Sequence, residues 1–85
     1  MKLTVEIVDE LTMLSQFKLD SSLEGIKVHT SASQDLVNAT ARLHDKGLIS
    51  RSDGGYLTDL GRDAAEHLEV LHNILTTPVT VDTAS

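Results

Sequence analysis

The sequence predicts a small α+β domain of three helices, one short strand and a two-stranded hairpin. Three stretches of the 85-residue chain carry apolar residues at helical spacing, each preceded by a residue type that caps helices. A short alternating segment precedes the second stretch, and a glycine-containing turn precedes the third. We expect residues 1–77 to form a single domain and residues 78–85 to form a flexible tail.

The first helix is predicted over residues 4–17. Ile7, Leu11 and Leu14 are spaced by four and three residues, which places them on one helix face. Thr4 precedes this pattern and is a suitable N-cap, because its hydroxyl oxygen can accept one of the free backbone N–H groups of the first turn.

The next segment predicts a strand and a second helix. Residues 25–29 alternate apolar and polar side chains, which is typical of a short strand. The helix is predicted to begin near residues 31–33, with Ser31 and Ser33 as alternative N-caps, and to end at Lys46, with Gly47 just beyond it. Its buried face is predicted to consist of Leu36, Val37, Thr40 and Leu43.

A hairpin and a long helix complete the domain. Residues 48–51 form the predicted outgoing strand, residues 52–55 the turn, and Tyr56 starts the return strand. Thr58 is the predicted N-cap of a final helix over residues 59–76.

Composition excludes several classes of function. The formal net charge is −6, so general polyanion binding is disfavoured, because affinity for nucleic acids depends largely on cationic side chains that neutralise phosphates. Phe17 and Tyr56 are the only aromatic residues, which is too few for a base-stacking platform. The chain contains no cysteine, which excludes disulfides, cysteine–zinc sites and thiol nucleophiles.

No catalytic site, metal site or cofactor site is predicted. His67 and His72 are five residues apart on the last helix, which points them about 140° away from each other. That spacing differs from the four-residue spacing of a helical zinc site, and there is no glycine-rich phosphate loop. We therefore expect a protein that is not an enzyme.

The sequence also predicts where the protein is found. Acidic residues interrupt the N-terminal segment, and no apolar stretch approaches the roughly 18–20 residues that cross a bilayer. We expect a cytoplasmic protein with no membrane partner.

Residues 43–62 carry a specific resemblance. Leu43, Lys46, Gly47, Leu48 and Ile49 fit the second part of the run L-x-x-L-x-x-K-G-L-I at the end of the recognition helix of winged-helix proteins, with a shorter spacing upstream, and residues 51–57 look like a short wing. Residues 58–62 are similar to the motif that opens the last helix in transcription regulators of the multiple-antibiotic-resistance and phenolic-acid types. The resemblance implies a winged-helix-like fold.

The chain as a whole also resembles a family of short uncharacterised gammaproteobacterial proteins. The stretches that carry this resemblance are residues 25–29, 45–49 and 54–61. It implies a bacterial protein of the same fold and implies no activity.

The winged-helix resemblance implies that residues 34–46 are a DNA recognition helix. Asparagine, glutamine and arginine side chains can pair with base edges, and lysine or arginine can contact phosphates. The predicted DNA-contacting residues are Lys27, Gln34, Asn38, Arg42, Lys46 and Arg51. Residues 33–57 carry three basic and three acidic residues, whereas residues 58–85 carry a net charge of −4, so the acidity lies mainly outside this segment. We expect a non-enzymatic regulatory module that contacts DNA as a homodimer.

One feature departs from the winged-helix pattern. A full helix–turn–helix has two helices between the first strand and the hairpin, and only one is predicted here. Either residues 20–24 form a rudimentary helix before the strand, or the motif is truncated.

The alternative is a winged-helix protein that has lost DNA contact and serves protein association. The last helix has two apolar rows, which is wide for a helix packed on one side of a small domain. The predicted dimer interface consists of His67, Val70, Leu71, Ile74 and Leu75. Acidic residues beside it favour a basic protein partner. The competing interpretation is that both rows pack inside the domain.

Overall fold

A computed structural model of the chain describes residues 1–20, 25–28 and 33–78. Within this part, the chain forms three helices and a three-stranded antiparallel sheet, and the topology is winged-helix-like. The predicted α+β class is confirmed. The elements are α1 (Val5–Leu14), β1 (Ile26–Lys27), α2 (Gln34–Asp45), β2 (Ile49–Arg51), β3 (Gly54–Leu57) and α3 (Asp59–Thr76).

The three helix starts are fixed by side-chain caps. Thr4, Ser33 and Thr58 each accept the backbone N–H three residues further on, at 3.2, 3.3 and 3.0 Å. Ser33 is therefore the cap of α2 in the structure. The alternative cap Ser31 lies outside the described residues, as do most of residues 20–24, where a rudimentary helix was an open alternative.

Helix α1 ends at Leu14, three residues before the predicted end. The chain then tightens, because the N–H groups of Gln16 and Phe17 donate to carbonyl groups three residues back, at 3.1 and 3.3 Å. This tight turn directs Phe17 into the core, where it is 7% exposed. The predicted apolar stripe therefore stays buried although the regular helix stops early.

Strand β3 is the centre of the sheet and pairs antiparallel with both neighbours, in the order β1-β3-β2. The turn is shorter than predicted, because β3 begins at Gly54 and only residues 52–53 connect the strands. Gly54 and Gly55 have φ angles of 132° and 75°, which side-chain-bearing residues rarely adopt. A register shift follows in the β2–β3 pair, where the Ser50 hydroxyl accepts the N–H of Tyr56 at 2.8 Å.

The core lies where α1 and α2 meet the sheet and the first half of α3. Its buried apolar residues are Met13, Leu14, Phe17, Ala39, Leu43, Ile49 and Ala65. Thr40 is also buried, and its hydroxyl donates to the carbonyl of Leu36 at 2.7 Å. Leu36 and Val37, the other members of the predicted inner face of α2, are half-buried.

Helix α3 is packed along its first half only. Gly61 and Ala65 are buried, and Ala64 and Leu68 are half-buried against the core. The guanidinium of Arg62 donates to the carbonyl of Leu19 at 2.8 Å and joins this half to the segment after α1. Every residue from 69 to 78 is exposed. We call residues 59–68 the proximal half of α3 and residues 69–76 the distal half.

Candidate functional site

The six predicted DNA-contacting residues lie in three separate places. Gln34 and Asn38 lie on the outer face of α2, Lys27 and Arg51 lie on the sheet, and the remaining two, Arg42 and Lys46, contact α1.

Arg42 and Lys46 form ion pairs with Glu10, a buried carboxylate of α1. The Nε of Arg42 lies 2.9 Å from Oε2 of Glu10, and the Nζ of Lys46 contacts Oε1. Arg42 also donates from Nη2 to the backbone carbonyl of Glu6 at 3.1 Å. Glu10 is only 6% exposed, whereas both cationic side chains remain partly exposed. We call Glu10, Arg42 and Lys46 the Glu10 cluster.

The cluster favours the ionised form of Glu10. Burial alone raises the pKa of a carboxyl group, because it removes the water that stabilises the charge. The hydrogen bonds from Lys46 and Arg42, together with their positive charges, act in the opposite direction. They outweigh burial, so the pKa of Glu10 lies below its ordinary value. The cluster therefore joins α1 to α2 through an ionised, buried carboxylate.

The sequence alone contains a signal that Glu10 is buried and paired with a cation. Glu10 lies three residues after Ile7 and four before Leu14, so it falls within the apolar stripe of the first helix. A carboxylate in such a stripe is rarely buried without a cationic partner.

The outer face of α2 is polar without being basic. Gln34 donates from Nε2 to Oδ1 of Asn38 at 2.9 Å, so the two amides are hydrogen-bonded to each other. Both residues are exposed, as are Asp35 and Asp45 on the same helix. A DNA duplex facing this surface would meet two carboxylates, while the arginine of this helix is paired with Glu10.

Lys27 of β1 and Arg51 of β2 lie on the two outer strands of the sheet, on either side of Gly54 in β3. Both line one cavity, together with Asp53 and Tyr56. Tyr56 is 47% exposed, so its ring is accessible to a partner. Of the three pairs of predicted DNA-contacting residues, Lys27 and Arg51 are the pair in which both side chains are basic and exposed and line the same cavity. One acidic residue, Asp53, lines the cavity with them.

Four of the five predicted dimer residues lie on the distal half of α3, and the fifth, His67, lies near the end of the proximal half. Val70, Leu71, Ile74 and Leu75 are 59%, 52%, 66% and 74% exposed. His67 is also exposed, and its Nδ1 lies 2.7 Å from the carbonyl oxygen of Asp63, one turn back. In the structure, the distal apolar residues do not pack inside the domain, contrary to the competing interpretation.

A groove of about 530 Å³ separates α1 from α3. Its walls include Val8 and Leu11 from α1, and Leu68 and His72 from α3. It lies on a different side of α3 from Leu71 and Ile74, neither of which lines it.

The described residues contain neither a cluster of metal ligands nor a helix that could span a membrane. Within residues 1–20, 25–28 and 33–78, no three histidine, aspartate or glutamate side chains come together as metal ligands. In the same part of the chain, no helix has the length and apolar character that crossing a membrane requires.

Fold and site together define a small α+β domain of winged-helix-like topology with an internal ion-pair cluster and a half-exposed C-terminal helix. The chain belongs to a family of unknown function, DUF5669, whose sequence profile matches residues 1–76. No curated protein and no solved structure matches the chain. The resemblance to the two regulator types therefore stays a prediction from the sequence.

Proposed function

We propose that this protein is a non-enzymatic association module that forms homodimers through the distal half of α3. One observation carries the proposal: four large apolar side chains on this half are each more than half exposed. Scattered apolar residues are normal on a protein surface, but a contiguous group is typical of an interaction site. Burial of such side chains in a dimer is favourable by roughly 25 cal/mol per Å².

The charge arrangement of α2 supports association over recognition of a DNA groove. A recognition helix needs accessible side chains that reach base edges, and nearby cations that contact phosphates. Here Arg42 and Lys46 are paired with Glu10. The side chains left on the outer face include Asp35 and Asp45.

Two glutamates in the apolar surface are expected to abolish the dimer. The variant Leu71→Glu/Ile74→Glu places a carboxylate at two positions that the dimer buries, and an unpaired buried charge is strongly unfavourable. We expect the dimer dissociation constant to rise more than about 100-fold, measured by sedimentation equilibrium over a range of concentrations.

The matched control is Asn73→Glu/Thr76→Glu, which adds the same charge to the same exposed half of the helix. The control should sediment like the original chain, and circular dichroism should report equal helix content for all three proteins. A wild-type chain that stays monomeric at the highest concentration would disprove the proposed dimer.

A second candidate function is DNA contact through the hairpin. It rests on the cavity that Lys27 and Arg51 share beside the exposed Tyr56. Cations at a wing can contact phosphates or enter the minor groove without insertion of α2. A dimer would supply two such wings and so double the number of contacts.

The DNA candidate is tested by binding to mixed genomic DNA at low salt. We expect Arg51→Ala to weaken binding several-fold and to reduce its salt dependence by about one ion. Lys2→Ala removes one positive charge from an exposed residue that does not line this cavity, and should leave the affinity nearly unchanged. Absence of binding at every salt concentration eliminates this candidate, and equal effects of the two variants would mean that the hairpin is not the contact.

A further inference from the structure

We propose that the two copies pair their α3 helices antiparallel, about a two-fold axis level with Glu69. This inference rests on the proposed dimer and specifies its geometry. The contact is a seam that runs along most of the helix, which we call the α3 seam. It consists of Leu60, Ala64, His67, Leu71 and Ile74, of which Leu60 lies beyond the end of the second helix, level with Pro78 of the second copy.

The spacing of the seam is that of a coiled coil. Successive members are separated by four, three, four and three residues, the heptad pattern that keeps one stripe facing a partner helix. Leu60 is 57% exposed, and Leu71 and Ile74 are exposed as well, so the stripe is accessible on both halves of α3. Ala64 is half-buried and is the smallest member of the seam, so the backbones of the two α3 helices can approach each other closely at this position.

The seam is self-complementary when the helices are antiparallel. With the axis at Glu69, Ala64 lies level with Ile74 of the second copy, and His67 lies level with Leu71 of the second copy. Each small or polar member is thereby opposite a large aliphatic one. Because a two-fold axis applies the same pairs twice, one helix supplies both sides of the contact.

Charge favours the antiparallel direction over the parallel one. Residues 59–69 contain four acidic residues and one arginine, whereas residues 70–76 contain no charged residue. A parallel pair would place the two acidic segments side by side, where like charges repel. The antiparallel pair places each acidic segment beside an uncharged one and also opposes the two helix dipoles.

Cysteine cross-linking tests the direction, because the chain has no cysteine of its own. The variants Ala64→Cys and Ile74→Cys are oxidised mildly, alone and as an equimolar mixture. In the antiparallel pair, we expect rapid disulfide formation only in the mixture. The identical cysteines of either variant alone are then offset by about 15 Å along the helix, beyond disulfide reach.

A control mixture of Glu66→Cys and Asn73→Cys corrects for random collisions. Both positions are exposed and lie outside the seam. In the antiparallel pair, position 66 of one copy lies at nearly the same level along the helix axis as position 73 of the second copy. They should cross-link no faster than cysteines on unassociated chains.

The possible outcomes separate this inference from the proposed function. If Ile74→Cys alone cross-links rapidly and the mixture cross-links no faster, the helices pair parallel. This result overturns the antiparallel direction but leaves the proposed dimer intact. If the protein sediments as a dimer but the cysteine variants cross-link no faster than the control mixture, the dimer does not form through the α3 seam. A monomer in sedimentation overturns both.

Discussion

Substitution of alanine for Gly61 is expected to lower the free energy of unfolding by about 2–3 kcal/mol. Gly61 lies in the first turn of α3, where the helix backbone approaches the carbonyl group of Leu48. A β-carbon at this position would overlap the carbonyl oxygen of Leu48 and lie 2.8 Å from its carbon. Both of these atoms are backbone, so no side-chain rotation relieves the overlap.

The direction of the effect distinguishes packing from helix propensity. In an exposed helix, replacement of glycine by alanine stabilises by about 1 kcal/mol, because alanine has less backbone freedom to lose. At Gly61 the overlap forces α3 away from the strand that follows Leu48, and the N–H of Thr58 donates to that same carbonyl at 3.0 Å. We therefore expect the packing penalty to exceed the gain in propensity.

Urea denaturation of the Gly61→Ala variant measures the change. Glu66→Ala is the matched control, since Glu66 is exposed in the same helix and its replacement should change stability by less than about 0.5 kcal/mol. Both variants must be compared at one protein concentration, because the proposed dimerisation would add to apparent stability. A Gly61→Ala protein that is more stable than the original chain would show that α3 does not approach Leu48 closely.

Local signals were sufficient to predict the elements of this fold. Thr4, Ser33 and Thr58 are caps whose oxygen atoms act within three residues, so their role is readable from neighbouring sequence. The bounds of α3 were predicted as the structure has them, from Thr58 and the apolar rows. The strand boundary at Gly54 was missed, because a register shift depends on how β2 and β3 pair rather than on either strand alone.

The candidate site was less predictable, because its contacts span long distances in sequence. The winged-helix resemblance implied DNA contact for Arg42 and Lys46, and helix periodicity placed Arg42 away from the buried face of α2. The structure turns both toward Glu10, which is 32 residues before Arg42 and 36 before Lys46. Helix periodicity cannot reveal which neighbouring helix packs beside that face. The exposure of Leu71 and Ile74 likewise depends on where α3 extends beyond the core.

Replacement of Glu10 by glutamine is expected to lower the free energy of unfolding at pH 7 by about 1–3 kcal/mol. Glutamine keeps the shape of the side chain but removes the negative charge that Arg42 and Lys46 share. The lower part of the range reflects the partial exposure of both cations, which water can still solvate. Glu6→Gln is the matched control, because Glu6 is exposed one turn earlier and only its backbone carbonyl contacts Arg42.

The pH dependence gives a second, independent measurement on the same pair of variants. Because the pKa of Glu10 is lower in the folded chain than in the unfolded chain, its contribution is complete at pH values above the unfolded pKa. The contribution is lost as the pH falls from there through the lower folded value, because the carboxylate becomes protonated. The stability difference between the original chain and Glu10→Gln should therefore narrow on acidification, whereas Glu6→Gln should follow the original chain throughout. An undiminished difference below the folded pKa would mean that Glu10 stabilises the domain by its packing rather than by its charge.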